Sequence, residues 1–179
     1  MADETSDPAS EELSPREPSL ADVVNLCREL HARGAEFIVI GGFAMRASGL
    51  VRHTGDIDLL IDPRPANESR VFDALATLPD GCVRELEAGD VAKFTVVRVA
   101  DEIVVDLMAT ASGITFAEAR HNVAVIEVDG VKIPFASSEL LYRMKKRTHR
   151  EKDRGDLHFL EQLFAAQGKT PPDTPATPK

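Results

Sequence analysis

Only two cysteines, Cys27 and Cys82, occur in the 179 residues. That is too few for a disulfide framework or a cysteine-based zinc site, and both lie in apolar segments, so a reducing compartment is expected. No stretch approaches the ~18 apolar residues that a membrane helix needs. The opening MADETSDPASEELSPREP is acidic and proline-broken where a secretory leader would be basic and then apolar. The expectation is a cytoplasmic protein with no membrane association. A broad basic face is also missing. The net charge is -9, and residues 1–18 hold six acids against one arginine. Residues 143–154 (RMKKRTHREKDR) reverse the sign, with seven basic groups against two acidic ones. A compact cationic patch on an acidic body disfavours long duplex DNA, whose binding draws on many phosphate contacts. A small polyphosphate or an RNA end suits it better.

With 43% hydrophobic residues the chain can bury one core, and it is too short for two ordinary domains. Residues 1–18 and 169–179 (KTPPDTPATPK) are rich in Pro, Ser, Thr and acids and read as disordered tails around a single domain over 19–168. Ser19 and Asp22 form a capping-box pattern, followed at helical spacing by Leu20, Val23, Val24, Cys27 and Leu30. EFIVI (36–40) reads as a strand stopped by Gly41 and Gly42, and FAMRASGL as the helix after it. A second strand covers Ile57 to Ile61 and a helix Asn67 to Leu78. Three strand-like runs follow at Cys82–Leu86, Ala92–Val99 and Glu102–Met108. A short helix near 115–119, a hairpin of 124–128 and 131–135 turned by Asp129 and Gly130, and two helices at 138–148 and 153–166 complete the domain. Such alternation predicts an α/β (α+β) fold, a mixed β-sheet flanked by helices.

Along a strand, side chains two apart share a face, so Asp56 and Asp58 project together while Ile57 and Leu59 turn away. Two adjacent like charges are costly unless a cation or proton intervenes, and a hard divalent ion such as Mg²⁺ or Mn²⁺ answers that need. Asp106 interrupts the apolar run IVVDLM, where a purely structural position would favour Val or Ile. If the two strands are neighbours, the three acids form one cluster able to hold two metal ions ~4 Å apart, the arrangement suited to phosphoryl transfer. Solubilising a sheet edge would explain Asp56 and Asp58 but not Asp106. Gly41 and Gly42, between a strand and a helix, leave room for a phosphate to approach backbone N–H groups. At 100° per residue, Asp153 shares a stripe with Leu157, Leu160 and Phe164, and so leans inward, toward Lys145. Acids in the first turn of a helix, such as Asp153 and Asp156, are also favoured by its dipole.

The order of these features resembles the nucleotidyltransferase superfamily of the polymerase-beta type. GGFAMRASGLVRHTGDIDLLID carries a glycine pair, a helix and an Asp-x-Asp strand, and VVDLM supplies a third acid about fifty residues later. The end, LLYRMKKRTHREKDRGDLHFL, resembles the minimal bacterial nucleotidyltransferases of the AbiEii toxin-like type, and the likeness spans roughly residues 20 to 165. It implies that Asp56 and Asp58 bind metal, that Asp106 activates the acceptor hydroxyl or completes the metal site, and that a nucleoside triphosphate is the donor. Arg52 and Thr54 match positions bordering the triphosphate, and Lys145 and Asp153 match functional positions of the toxin-like branch. Many relatives have Gly-Ser at the turn, where Gly42 here removes a hydroxyl; the glycine pair does occur in the toxin-like branch. The implied acceptor is an RNA or tRNA 3′ end, a protein or a small molecule, with an antitoxin as a further partner. The alternatives are a catalytically silent member of a toxin–antitoxin pair and a nucleotide-binding regulator.

Overall fold

The computed structural model describes residues 14–148 and 150–172. The remainder of each expected tail, 1–13 and 173–179, lies outside the described residues. Helix α1 (Leu20–Ala32) begins as the sequence predicts: the Ser19 hydroxyl accepts from the Asp22 N–H, and the Asp22 carboxylate accepts from the Ser19 N–H. Residues 14–18 are tied to the body. The Arg16 N–H donates to the Glu102 carbonyl at 2.8 Å, and its guanidinium grips both Asp22 oxygens and Glu102.

Strand β1 (Phe37–Ile40) is buried throughout and runs into α2 (Gly41–Ala47), so the glycine pair forms the first turn of that helix. Strand β2 (Ile57–Ile61) lies antiparallel to β1 and is followed by α3 (Pro65–Leu75). This helix starts and ends earlier than the expected 67–78. Pro65 fits the first helical position, where no N–H is needed, and Asn67 is drawn into bonds with Glu36 and Asp62 backbone groups.

The next segment corrects two expected strands. Cys82–Glu85 is a 3₁₀ turn, and the first part of 92–99 belongs to the short helix α4 (Asp90–Lys93). Two buried carboxylates override the local β pattern by capturing backbone donors. Asp101 accepts from the N–H groups of Asp80, Cys82 and Glu102, and Glu68 accepts from those of Gly89 and Val91. Pairing resumes only at β3 (Val97–Ala100), whose residues alternate buried and exposed, and at β4 (Val104–Met108).

A small two-stranded ribbon, β5 (Thr110–Ala111) and β6 (Ile114–Thr115), turns on Ser112 and Gly113, both with positive φ. Helix α5 (Phe116–Ala119) and the hairpin of β7 (Val123–Val128) and β8 (Val131–Ala136) follow as the sequence predicts. Helices α6 (Ser138–Thr148) and α7 (Arg154–Ala166) close the domain, with the Tyr142 ring edge-on to Phe164.

The main sheet is mixed and six-stranded, in the order β3-β4-β2-β1-β8-β7. β2 is parallel to β4 and β1 to β8, while the remaining neighbours are antiparallel. Leu59 and Leu60 point to opposite faces of β2 and both are inaccessible, so the centre of the sheet is covered on each side. Helix α1 packs on α3 and β8, whereas α2 packs on β1, β2 and α6. The fold is the mixed sheet flanked by helices that the sequence predicts, and no helix among the described residues is long and apolar enough to cross a membrane.

Glu68 is expected to hold the 89–96 segment down. Glu68→Ala leaves two backbone N–H groups without their acceptor and should lower unfolding stability by about 1–3 kcal/mol. Denaturant titration measures the loss, and amide exchange should quicken first at residues 89–96. Unchanged exchange there would contradict this anchoring.

Candidate active site

β2 and β4 are parallel neighbours with Asp58 directly opposite Asp106. Asp56 sits just before β2, two residues from Asp58 and on the same side, while Ile57 and Leu59 are fully buried. One carboxylate oxygen from each acid lies within 4.8 Å of the others. Asp106 is buried; Asp56 and Asp58 are half-buried. The convergence expected from the sequence therefore follows from strand order and register.

The glycine pair meets this cluster at close range. Gly41 has φ +60°, and a Cβ there would lie 1.9 Å from Asp58 Oδ2; one on Gly42 would lie 2.3 Å from Thr54 Oγ1. Only glycine lets the start of α2 come this near to the acid. The Gly42 N–H hydrogen-bonds toward Asp58 and favours its charged form. The Thr54 hydroxyl donates to the Asp56 carbonyl at 3.2 Å. Thr54 thus supports the loop entering β2 and the Gly42 turn, and it does not line the cleft beside the acids.

Burial pushes the Asp58 carboxyl up to about 6, reinforced by the charges of Asp56 and Asp106 and opposed by the Gly42 N–H and by Lys145. Three hard oxygen donors converging on one point fit a divalent cation such as Mg²⁺ or Mn²⁺.

Arg98 on β3 is a site residue that the sequence reading misses. Its strand position is opposite Asp106. Nε donates to Asp106 Oδ1 at 2.8 Å, Nη2 to Asp106 Oδ2 at 2.7 Å, and Nη2 reaches Asp56 Oδ2 at 3.3 Å. The Asp106 hydrogen bonds, followed by its charge, hold the guanidinium proton more tightly than usual. The signal was present as the alternation VRVA, in which Val97 and Val99 face the core and Arg98 must face the acids' side.

A second cluster forms the facing wall. Lys145 on α6 is buried, with Nζ 2.9 Å from Asp153 Oδ1 and 2.6 Å from Asp156 Oδ2. The inward lean of Asp153 is as predicted. The Thr148 hydroxyl lies 2.6 Å from Asp153 Oδ2. Asp156, read from the sequence as favoured by the helix dipole, also reaches Arg52 Nη1 at 3.7 Å. Among the described residues, the buried Arg52 Nε has no hydrogen-bond partner.

Between the walls lies a cleft of about 350 Å³ lined by the three acids, Gly41, Arg98 and Lys145, with Arg52, Asp153 and Arg150 at its sides. Seven of the nine site residues predicted from the sequence thus border one space; Gly42 touches the cluster only through its backbone, and Thr54 stands behind the turn. Met108 and Met144 are buried in the core and also line the cleft.

The Asp58 shift has a pH consequence. A carboxyl whose folded value of about 6 exceeds its unfolded 3.8 makes the native state hold the extra proton. Its contribution to stability therefore falls as pH rises between those values. Asp58→Asn removes that cost, so the variant should be more stable than the parent by about 1–3 kcal/mol above pH ~6, with the gap closing toward pH ~4. Metal-free thermal or denaturant unfolding across this range measures the gap; a gap independent of pH would refute the assignment.

Comparison with known proteins supplies the family. No curated protein matches the chain. A solved Thermotoga maritima protein, named as a candidate nucleotidyltransferase, is similar at 15% sequence identity and a TM-score of 0.49, covering 82% of this chain and 96% of that one. Residues 19–170 match the sequence profile of a family described as nucleotidyl transferase of unknown function (DUF2204). That match includes Asp56 and the strand carrying Asp58, the strand carrying Asp106 and both closing helices, and the chain belongs to this nucleotidyl transferase family.

Proposed function

We propose that the protein transfers a nucleoside monophosphate from a nucleoside triphosphate to an acceptor hydroxyl, with Mg²⁺ or Mn²⁺ held by Asp56, Asp58 and Asp106. The observation that carries this reading is the meeting of three carboxylates within 4.8 Å, Asp58 and Asp106 at registered strand positions and Asp56 just before β2, in a cleft with cationic side chains. In the reaction, the acceptor oxygen forms a bond to the α-phosphorus, the bond from that phosphorus to the bridging α–β oxygen breaks, and pyrophosphate leaves. Bound metal would supply positive charge to the reacting oxygens and favour the deprotonated acceptor.

The protein groups have separable tasks. Asp106 is placed to take the acceptor proton or to complete the metal site. Arg52 and Lys145 offer positive charge to the triphosphate, and Asp153 and Asp156 keep the Lys145 ammonium pointed at the cleft. Gly41 brings the start of α2 against Asp58. Gly42 supports Asp58 through its N–H, and an open backbone at this turn suits phosphate approach. Thr54 steadies the loop that presents Asp56. The Lys145–Asp153 pair supports placement in the AbiEii toxin-like branch, and with it a cytoplasmic setting and an antitoxin partner. Exposed Arg150 at the side of the cleft favours a phosphate-bearing acceptor, such as an RNA or tRNA 3′ end, over a protein or a neutral small molecule.

Incubation with each α-labelled triphosphate, Mg²⁺ and total RNA or lysate tests the reading. Label should enter an acceptor, and Asp58→Ala or Asp106→Ala should reduce transfer by about 10³-fold or more. Binding of triphosphate without transfer would instead support a nucleotide-binding regulator. Neither binding nor transfer would support a silent partner protein.

A further inference from the structure

Arg98 satisfies the oxygens that a metal ion would need. It takes both Asp106 oxygens and leans on Asp56, leaving Asp58 as the acid it does not contact. Its side chain is nevertheless 59% exposed, against 8% for Asp106. It stands on β3, the outer strand at one edge of the sheet, beside the exposed Thr95 and Val96. A guanidinium with that much solvent access can turn away without opening the core.

We propose that Arg98 is a displaceable internal counter-ion, a positioning residue that must release Asp106 and Asp56 before a divalent cation is held there. The inference rests on the metal-dependent reading above. A guanidinium and a divalent ion compete for the same carboxylate oxygens, because their positive charges repel at short range. Metal alone must displace three charge-assisted hydrogen bonds, two to Asp106 and a longer one to Asp56. A triphosphate changes the balance, since its oxygens offer the released guanidinium a new anionic partner within the same cleft. Nucleotide therefore strengthens metal binding, and by reciprocity metal strengthens nucleotide binding. The device favours loading metal and nucleotide together and suppresses retention of metal by the empty cleft.

Manganese titration of the full chain, with free Mn²⁺ read by electron paramagnetic resonance, tests this without relying on turnover. Without nucleotide, Arg98→Gln should bind Mn²⁺ about tenfold more tightly than the parent. Adding a non-hydrolysable triphosphate analogue should tighten Mn²⁺ binding in the parent by a larger factor than in Arg98→Gln. Arg98→Lys keeps the charge but loses the two-pronged grip, and should fall between them; it carries the test if the glutamine variant does not fold. A merely structural arginine would give variants with equal or weaker Mn²⁺ affinity, and that result overturns the proposal while leaving the metal site standing. Failure of parent and variants alike to bind Mn²⁺, with or without the analogue, overturns both.

Discussion

Three carboxylates, two on adjacent strands and one just before the first of them, repel one another, and much of the surrounding structure is a response to that repulsion. β2 and β4 are parallel with Asp58 opposite Asp106, so the acids cannot separate without breaking the centre of the sheet. Ile57, Leu59, Val105 and Leu107 anchor the same strands on the other face and are inaccessible to solvent. The apolar core therefore bears the cost of the acidic cluster. Rotating either strand to spread the charges would expose those side chains, each worth about 1.5–3 kcal/mol in burial.

The response is asymmetric. Around Lys145 the charges nearly cancel: two aspartates contact its ammonium, and Arg52 approaches the second of them. These groups, apart from Arg52, are buried and joined to α6 and α7, so this wall is built to keep its shape. Around the triad, the compensating cation is Arg98, an exposed side chain on an edge strand. Arg98 does not contact Asp58, whose carboxyl is pushed up to about 6 first by burial and then by the neighbouring charges of Asp56 and Asp106. One wall is thus rigid and near neutral, while the other retains a negative surplus that a cation can relieve.

Legibility in the sequence follows the range of the interaction responsible. The period of two in DIDLL placed Asp56 and Asp58 together, and the polar break in VVDLM marked Asp106, because each is a statement about one strand. The capping box at Ser19 and the Asp129–Gly130 hairpin turn were equally local. Arg98 was not legible as a partner of Asp106, since its pairing requires knowing that β3 lies beside β4. Asp156 looked sufficient as a helix-dipole acid until α7 was seen against Lys145 and Arg52. The expected strand at 82–86 and the early part of that at 92–99 failed for a related reason: Asp101 claims the Cys82 N–H, and Glu68 claims the Gly89 and Val91 N–H groups just before residue 92, and both acids are distant in the chain. Local β propensity carries about 1 kcal/mol at most, less than the combined effect of several bonds to a buried carboxylate.

The glycine pair shows why a motif can be read correctly in place and incompletely in role. As a bare turn, Gly41–Gly42 suggests room for a phosphate. In the folded chain, the missing side chains first admit Asp58 and Thr54, whose atoms occupy the positions where Cβ atoms would stand. These functions are compatible: close approach brings the Gly42 N–H to Asp58 and leaves Gly41 on the cleft surface. A serine in place of Gly42 would add a hydroxyl but would also drive its Cβ into Thr54, a β-branched residue tied to the Asp56 carbonyl. The absence of that hydroxyl is therefore coupled to Thr54. Glycine at 42 and threonine at 54 form one steric unit, and the loop presenting Asp56 depends on both.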